Sequence, residues 1–345
     1  IPNCRVILKK NSEIYLFAKK SKIQHLLTKN NSLKIKLVDE NKISIFLKNL
    51  NTKKIILDKL SCSLAYENLI KNKIDISSQN DPIYKMKSIK NNIEIRNIIK
   101  SHIFDGVAVT KFLYWIKKCK KNITELAAVK KLEYFRKKNQ NYLYPSFNTI
   151  SASGSNGAII HYRATRSSNR LIKKKDIFLC DSGGQYKYGT TDITRTMSLD
   201  KQTKKIKNIF TYVLKGHIAV ASANLNKIKR ANLLDNLARK FLNKKGLDYP
   251  HGTGHGVGFF LNVHESPVAI SKGYKMKIKP GQVMSNEPGF YKKGKFGIRL
   301  ENMIYVKQLK NKIFFKNLTM VPFDKDLINI DLLNYKEKNY LINYN

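Results

Sequence analysis

Short apolar runs separated by polar breaks fill the first eighty or so residues. Arg5-Val6-Ile7-Leu8, Ile14-Tyr15-Leu16-Phe17, Ile43-Ser44-Ile45-Phe46-Leu47 and Lys54-Ile55-Ile56-Leu57 each read as a strand, being rich in β-branched and aromatic side chains. The stretch from Leu64 to Ile70 reads as a helical turn or two between them. Polar Ser77-Ser78-Gln79-Asn80-Asp81-Pro82 then reads as a linker. Beyond it the period becomes helical. Asn91 followed by Glu94 is a capping-box start, and Ile95, Ile98, Ile99, His102, Ile103, Val107 and Thr110 recur at helical spacing. Thr124 caps a second helix carrying Leu126, Val129, Leu132 and Phe135. Two further amphipathic helices cover 201–224 and 230–245, the latter ended by Gly246. Glycine-punctuated strand segments lie at 148–162, 176–197, 254–264, 282–290 and 296–308. Helices outside and a curved sheet inside make an α+β layout.

The 345 residues are too many for one ordinary core. The pattern predicts a small α/β domain over 1–84, a larger domain over 85–310 and a C-terminal extension, 311–345, packed on the larger one. The chain opens on Ile1 within a strand-like run, so the first domain reads as incomplete at its start and targeting is unread. No run of about eighteen apolar residues occurs, so no membrane-spanning helix is expected.

The net charge of +42 would suit a nucleic acid or an anionic membrane. The lysines, however, are spread through every segment, in runs such as Lys173-Lys174-Lys175 and Lys292-Lys293, and are not gathered on one helix with interleaved aromatics. Asn and Ile are over-used with them, which points to compositional drift loading solvated faces. No specific nucleic-acid partner is expected. Cys4, Cys62, Cys119 and Cys180 show no metal or redox spacing and read as free thiols, which leans toward the cytoplasm.

Candidate chemistry concentrates in the glycine-rich strands. The strand ending Cys180-Asp181-Ser182-Gly183-Gly184 returns through Gly189-Thr190-Thr191-Asp192, a hairpin able to bring Asp181 and Asp192 together. Two ordinary turn aspartates would read the same way. His251-Gly252-Thr253-Gly254-His255-Gly256-Val257-Gly258 is too flexible for a core strand and too patterned for a random loop, and its glycines let backbone pass close to a metal or substrate. His161, His251, His255 and His264, four of the seven histidines, fall in this half, whereas His25, His102 and His217 are given no role. Glu287 precedes a Pro-Gly turn at a strand end. Arg299 and Glu301 share one face of the strand 297–303, which is also what a plain ion pair would show. Four carboxylates aimed at one point would repel by several kcal/mol in a low-dielectric pocket. Cations among them reverse that sign.

In series, Asp181, Asp192, His255, Glu287 and Glu301 resemble the dinuclear ligand set of the pita-bread metallopeptidases, the methionine-aminopeptidase and aminopeptidase P superfamily. Ile160-His161-Tyr162, the 181–196 hairpin, His251–Gly258, Asn262-Val263-His264-Glu265-Ser266-Pro267 and Leu318-Thr319-Met320-Val321-Pro322-Phe323-Asp324 resemble its Xaa-Pro aminopeptidase branch, in the long form. The resemblance covers about 82–345 closely and 1–81 loosely, the latter as a creatinase-N-like domain. It implies a pita-bread catalytic domain holding two divalent ions that share a hydroxide. The oxygen-rich set favours manganese. It further implies that Glu287 shuttles the proton, that His161 and His264 contact the scissile carbonyl, that His251 shapes the pocket beyond the cleaved bond, and that Arg299, with Tyr291, orients Asp192 or Glu301. The implied substrates are peptides with proline second, acted on in the cytoplasm, and homodimers are common in that branch. Methionine aminopeptidase, a prolidase-like dipeptidase, creatinase-like hydrolysis without metal, and a non-catalytic pita-bread protein that binds RNA or ribosomes stay open as alternatives.

Overall fold

The computed structural model describes residues 4–27 and 35–344. Ile1 and the His25 side chain lie outside what it describes. Two compact units divide the chain, Ile1–Ile83 and Tyr84–Asn345.

In the first unit β1 (Cys4–Leu8) pairs antiparallel with β2 (Ile14–Ala18). Helix α1 (Lys20–Leu27) follows, and β3 (Ile35–Val38) lies parallel to β2. Residues 43–47 are not a strand. They form α2 (Ile43–Lys48), because Ile43 and Leu47, one helical turn apart, bury together with Phe17, while Ile45 is left 62% exposed. The alternation of Ile43, Ile45 and Leu47 mimicked a strand, and tertiary burial decided otherwise. β4 (Lys54–Leu57), α3 (Leu64–Ile70) and β5 (Asp75–Ser78) complete the unit, with β4 and β5 parallel. Ser77 and Ser78 therefore belong to a strand and only Gln79–Asp81 connects.

After α4 (Pro82–Ser88) comes the long helix α5 (Asn92–Lys118). Its capping box forms as its sequence predicts: Asn91 Oδ1 accepts from the Ile93 and Glu94 amides, and Glu94 Oε2 accepts from the Asn91 amide. Thr124 caps α6 (Glu125–Lys137) through the Ala127 amide. Strands β6 (Tyr142–Pro145), β7 (Ile150–Ser153), β8 (Ile177–Ser182), β9 (Gly184–Tyr186), β10 (Gly189–Thr190) and β11 (Ile193–Ser198) form two antiparallel sheets, ordered β11-β8-β7 and β10-β9-β6. Helices α7 (Lys204–Ala221) and α8 (Ala231–Asn243) lie against each other so closely that a Cβ on Gly216 would stand 2.1 Å from the Ala238 carbonyl. Short β12 (Gly254–His255) and β13 (Ala269–Ile270) pair. β14 (Val283–Asn286), β15 (Gly289–Lys292), β16 (Phe296–Arg299), β17 (Asn302–Leu309) and β18 (Lys312–Asn317) follow, with sheet orders β14-β17-β18 and β15-β16. The final helix is α9 (Tyr335–Tyr344).

In the second unit, sheets line the inside and helices the outside. Phe112, Ile116 and Leu132 of α5 and α6 bury against Phe178 and Ile193, and Phe210, Val213 and Leu214 of α7 bury against Leu327, Leu341 and Tyr344 of the tail. No helix among the described residues is long and apolar enough to cross a membrane.

Candidate active site

Four strand ends deliver the acids to one floor. Asp181 is the fifth residue of β8, paired with Thr194 of β11, and Asp192 stands one residue before β11. Glu287 follows β14 and is tied down by its amide, which donates to the Thr253 carbonyl at 2.8 Å. Glu301 fills the break between β16 and β17, and its amide donates to the Thr194 carbonyl at 3.1 Å.

His255 enters from β12. Gly254 lets that strand run against β14, since a Cβ there would stand 2.0 Å from the Ser285 carbonyl. The glycine-rich run thus serves packing of protein on protein at this point, a nearer cause than approach to a ligand. The His255 amide donates to Ser285 Oγ at 2.9 Å, and its Nδ1 lies 2.9 Å from the Gly256 carbonyl. A carbonyl only accepts, so Nδ1 carries the hydrogen and Nε2 presents a lone pair. That lone pair faces acids, 3.5 Å from Asp192 Oδ2 and 3.3 Å from Glu287 Oε1. Ligand atoms of Asp192, His255 and Glu301 lie within 4.8 Å of one another.

These acids are costly without a cation. Asp181, Asp192 and Glu301 are 8%, 4% and 1% exposed, and Asp181 Oδ1 and Asp192 Oδ1 are buried with no hydrogen-bond partner. Burial, then the charges of Asp181 and Glu287, push the Asp192 carboxyl well above the usual carboxylate range. Burial, then Asp192, Glu287 and Asp181, do the same to Glu301. Orphaned oxygens, mutual repulsion and a lone pair turned toward them fit divalent cations.

Arg299 supports the floor at a point the sequence did not disclose. Its guanidinium donates to Asp181 Oδ2 at 2.6 Å, to Tyr291 Oη at 2.7 Å and to Thr194 Oγ1 at 3.1 Å. It holds Asp181, and it reaches Glu301 through Thr194, whose hydroxyl donates to Glu301 Oε2 at 2.8 Å. No hydrogen bond joins it to Asp192. Tyr291 in turn donates to His251 Nε2 at 2.8 Å, while His251 Nδ1 donates to the Gly252 carbonyl at 2.8 Å. Both nitrogens of His251 are engaged, so it offers the cavity a ring surface and no free donor.

Above the floor opens a cavity of about 490 Å³ lined by His161, His251, His264, Phe147, Ile150, Val263 and Arg163 beside the acids. All eight residues singled out for chemistry, the five ligand candidates with His161, His251 and His264, line it, as does Arg299. The His264 ring stands 4.1 Å from that of His255 at 72°. Burial, then the neighbouring His255, lowers the His264 pKa, which favours the neutral ring. His102 and His217 are buried within α5 and α7, away from the cavity lining.

Three supports escaped the sequence. Asp105 of α5 accepts from Arg136 Nε at 2.7 Å, Arg136 Nη2 at 3.1 Å, Tyr186 Oη at 2.8 Å and Thr191 Oγ1 at 2.9 Å, anchoring the hairpin between Asp181 and Asp192. Arg195 donates to the Glu301, Val321 and Pro322 carbonyls, stapling the backbone of that candidate ligand to the tail. Buried Lys90 pairs with Glu265 at 2.7 Å beside His264. Only the unusual setting of Asp105, a lone acid on an apolar helix face, was a visible signal.

Comparison with known proteins agrees with this geometry. The model of metallopeptidase family M24 matches residues 96–308, that of the creatinase/prolidase N-terminal domain matches 2–94, and that of the C-terminal region of M24 peptidases matches 312–345. Proteins named probable Xaa-Pro aminopeptidase P are similar: that of Paracoccidioides brasiliensis is 43% identical over 278 residues, and that of Sordaria macrospora 44% over 277. Those alignments take in 76% and 75% of this chain and 45% of each relative, so the chain spans about half the length of the curated relatives it matches. Among solved structures, an X-prolyl aminopeptidase of Caenorhabditis elegans, described as a cytosolic enzyme with a di-nuclear active site, superposes with a TM-score of 0.89 at 31% identity. It covers 100% of this chain and 59% of that one. A prolidase of Pyrococcus furiosus gives 0.75 at 27% identity over 89% and 87%. With its pita-bread arrangement of helices outside antiparallel sheets and a family model matched over most of its length, the chain belongs to metallopeptidase family M24.

Proposed function

We propose that the chain removes the N-terminal residue from peptides whose second residue is proline. The observation that carries this reading is the floor itself: four acids and the His255 lone pair, converging beneath a cavity that three further histidines line. The naming of the similar proteins supports the proline preference.

Asp181, Asp192, His255, Glu287 and Glu301 would hold two divalent ions, which when bound polarise the scissile carbonyl and acidify a water as nucleophile. Manganese suits four carboxylates and one imidazole better than zinc. Glu287 takes and returns the proton. Its Oε1 is fixed by Ser285 Oγ at 2.9 Å, whereas Oε2 makes no hydrogen bond among the described residues. His264, kept neutral, donates an N–H to the oxygen that gains charge, and His161, which lines the same cavity, serves the same group. One such donor is worth about 3 kcal/mol. Arg299 keeps Asp181 in place. Phe147, Ile150, Val263 and the His251 ring form an apolar wall for the pyrrolidine ring, which has no N–H to read. The free thiols, and the cytosolic description of the C. elegans protein, support a cytoplasmic setting.

The test is hydrolysis of Arg-Pro-Pro by manganese-loaded and EDTA-treated protein, beside Met-Ala peptides and a salt titration of RNA binding. Manganese-dependent release of Arg is expected. Release of Met with no cleavage of Arg-Pro-Pro would reassign the chain to methionine removal. RNA binding with a steep salt slope and no turnover would make it a binding protein.

A further inference from the structure

Every acid of the cavity belongs to the floor, and Arg299 is spent on Asp181. One cation of the lining is left over. Arg163 lines the cavity, is exposed, and forms no ion pair with a carboxylate among the described residues. Its placement is built. Tyr162, between His161 and Arg163, is 6% exposed, and its hydroxyl donates to Glu125 Oε2 at 2.8 Å. Glu125, itself fully buried, also accepts from the Ser153 amide at 2.7 Å and from Asn156 Nδ2. Ser168 Oγ donates to the Arg163 carbonyl at 3.3 Å. The Tyr162 hydroxyl is thus anchored, and His161 and Arg163 on either side of it line the cavity together with it.

We infer that Arg163 is a carboxylate-recognition residue of this site, receiving an anionic group one or two residues beyond the proline of a bound peptide. This rests on the peptidase reading, in which His161 meets the scissile carbonyl. Two residues of chain separate His161 from Arg163, at most about 7 Å, and an extended peptide advances by about the same over two residues. The N-terminal residue must lie at the acid floor, so a peptide leaves past the exposed Arg163 on its C-terminal side. A guanidinium there matches a carboxylate bidentately. The carboxylate can be a peptide's own C-terminus, which makes short peptides favoured, or an acidic side chain at that position.

Calorimetry on the manganese-loaded chain decides between these, with Pro-Ala, its C-terminal amide and Pro-Glu amide as probes, none of which carries proline second. Pro-Ala should bind about tenfold tighter than its amide, as a charge-assisted hydrogen bond implies. Arg163→Gln should bring that ratio near one, Arg163→Lys should restore part of it, and Arg166→Gln, outside the cavity lining, should leave it intact. KM for Arg-Pro-Pro against its amide should follow the same ratio with kcat unchanged. Tight binding of Pro-Glu amide identifies the side chain as a source, and weak binding identifies the C-terminus alone. An equal ratio in wild type and Arg163→Gln, or the same loss in Arg166→Gln, overturns the inference. Binding that follows this pattern without any cleavage would sink the peptidase reading while Arg163 keeps its role.

Discussion

Asp192 is a buried acid with one unpartnered oxygen, held among like charges. Asp192→Asn removes a charge that burial and its neighbours already oppose, so the metal-free fold should melt no lower than wild type. The same change should abolish hydrolysis and the stabilisation on adding manganese, which for a bound ligand reaches about 2.7 kcal/mol at a hundred times Kd. Calorimetry with and without metal checks both, and near-normal turnover would refute the ligand assignment. The candidate ligands are legible in the sequence because each sits in its own short motif. The partner of their support is not, since Arg299 meets Asp181 across 118 positions of chain. His217 shows a different residue-scale effect. Burial, then Arg195, lowers its pKa to about 3, so the fold holds it neutral. Below the ordinary value of about 6.5 the unfolded chain takes up a proton that the fold refuses. Stability should therefore fall from about pH 6.5 toward 3, by up to about 1.4 kcal/mol per pH unit from this group. His217→Leu should flatten that acid limb in denaturant titrations.

The hairpin from β8 to β11 is the element on which two of the proposed ligands depend, and Asp105 with Arg136 clamps it. Asp105→Asn leaves Arg136 buried without its counter-charge, which should cost about 3–5 kcal/mol. Manganese affinity should drop by about 10–100-fold, as when other outer supports of metal ligands are lost. Urea denaturation and a metal titration read the two effects separately, and unchanged affinity in a folded variant would show the clamp to be only structural. Elements with local signals were legible. The Asn91–Glu94 box, the Thr124 cap and the α7 and α8 spans formed near their predicted positions. Ile43–Leu47 was misread because spacing two and spacing four coincide in so short a run, and only the place of Phe17 tells them apart. The segment 254–264 formed just two strand residues, because its backbone turns to meet β14 and does not continue a ladder.

At the scale of the whole molecule, 66 basic residues against 24 acidic ones repel each other over most of the surface. The screening length contracts from about 30 Å at 0.01 M salt to about 8 Å at 0.15 M. Salt across that range should raise the melting temperature, and calorimetry in sodium chloride checks it. The buried pairs Arg136–Asp105, Lys90–Glu265 and Arg239–Asp235 are insulated from this screening, so a fall would mean that exposed pairs outweigh the repulsion. Thr194 adds a last consequence. Its hydroxyl and its carbonyl both hold Glu301, 107 positions further along the chain. A cation arriving during synthesis finds a half-finished nest until that late strand docks. On the proposed ligand set, metallation would therefore report completed assembly, and a stalled or clipped chain ending short of Glu301 would stay blind to the ion.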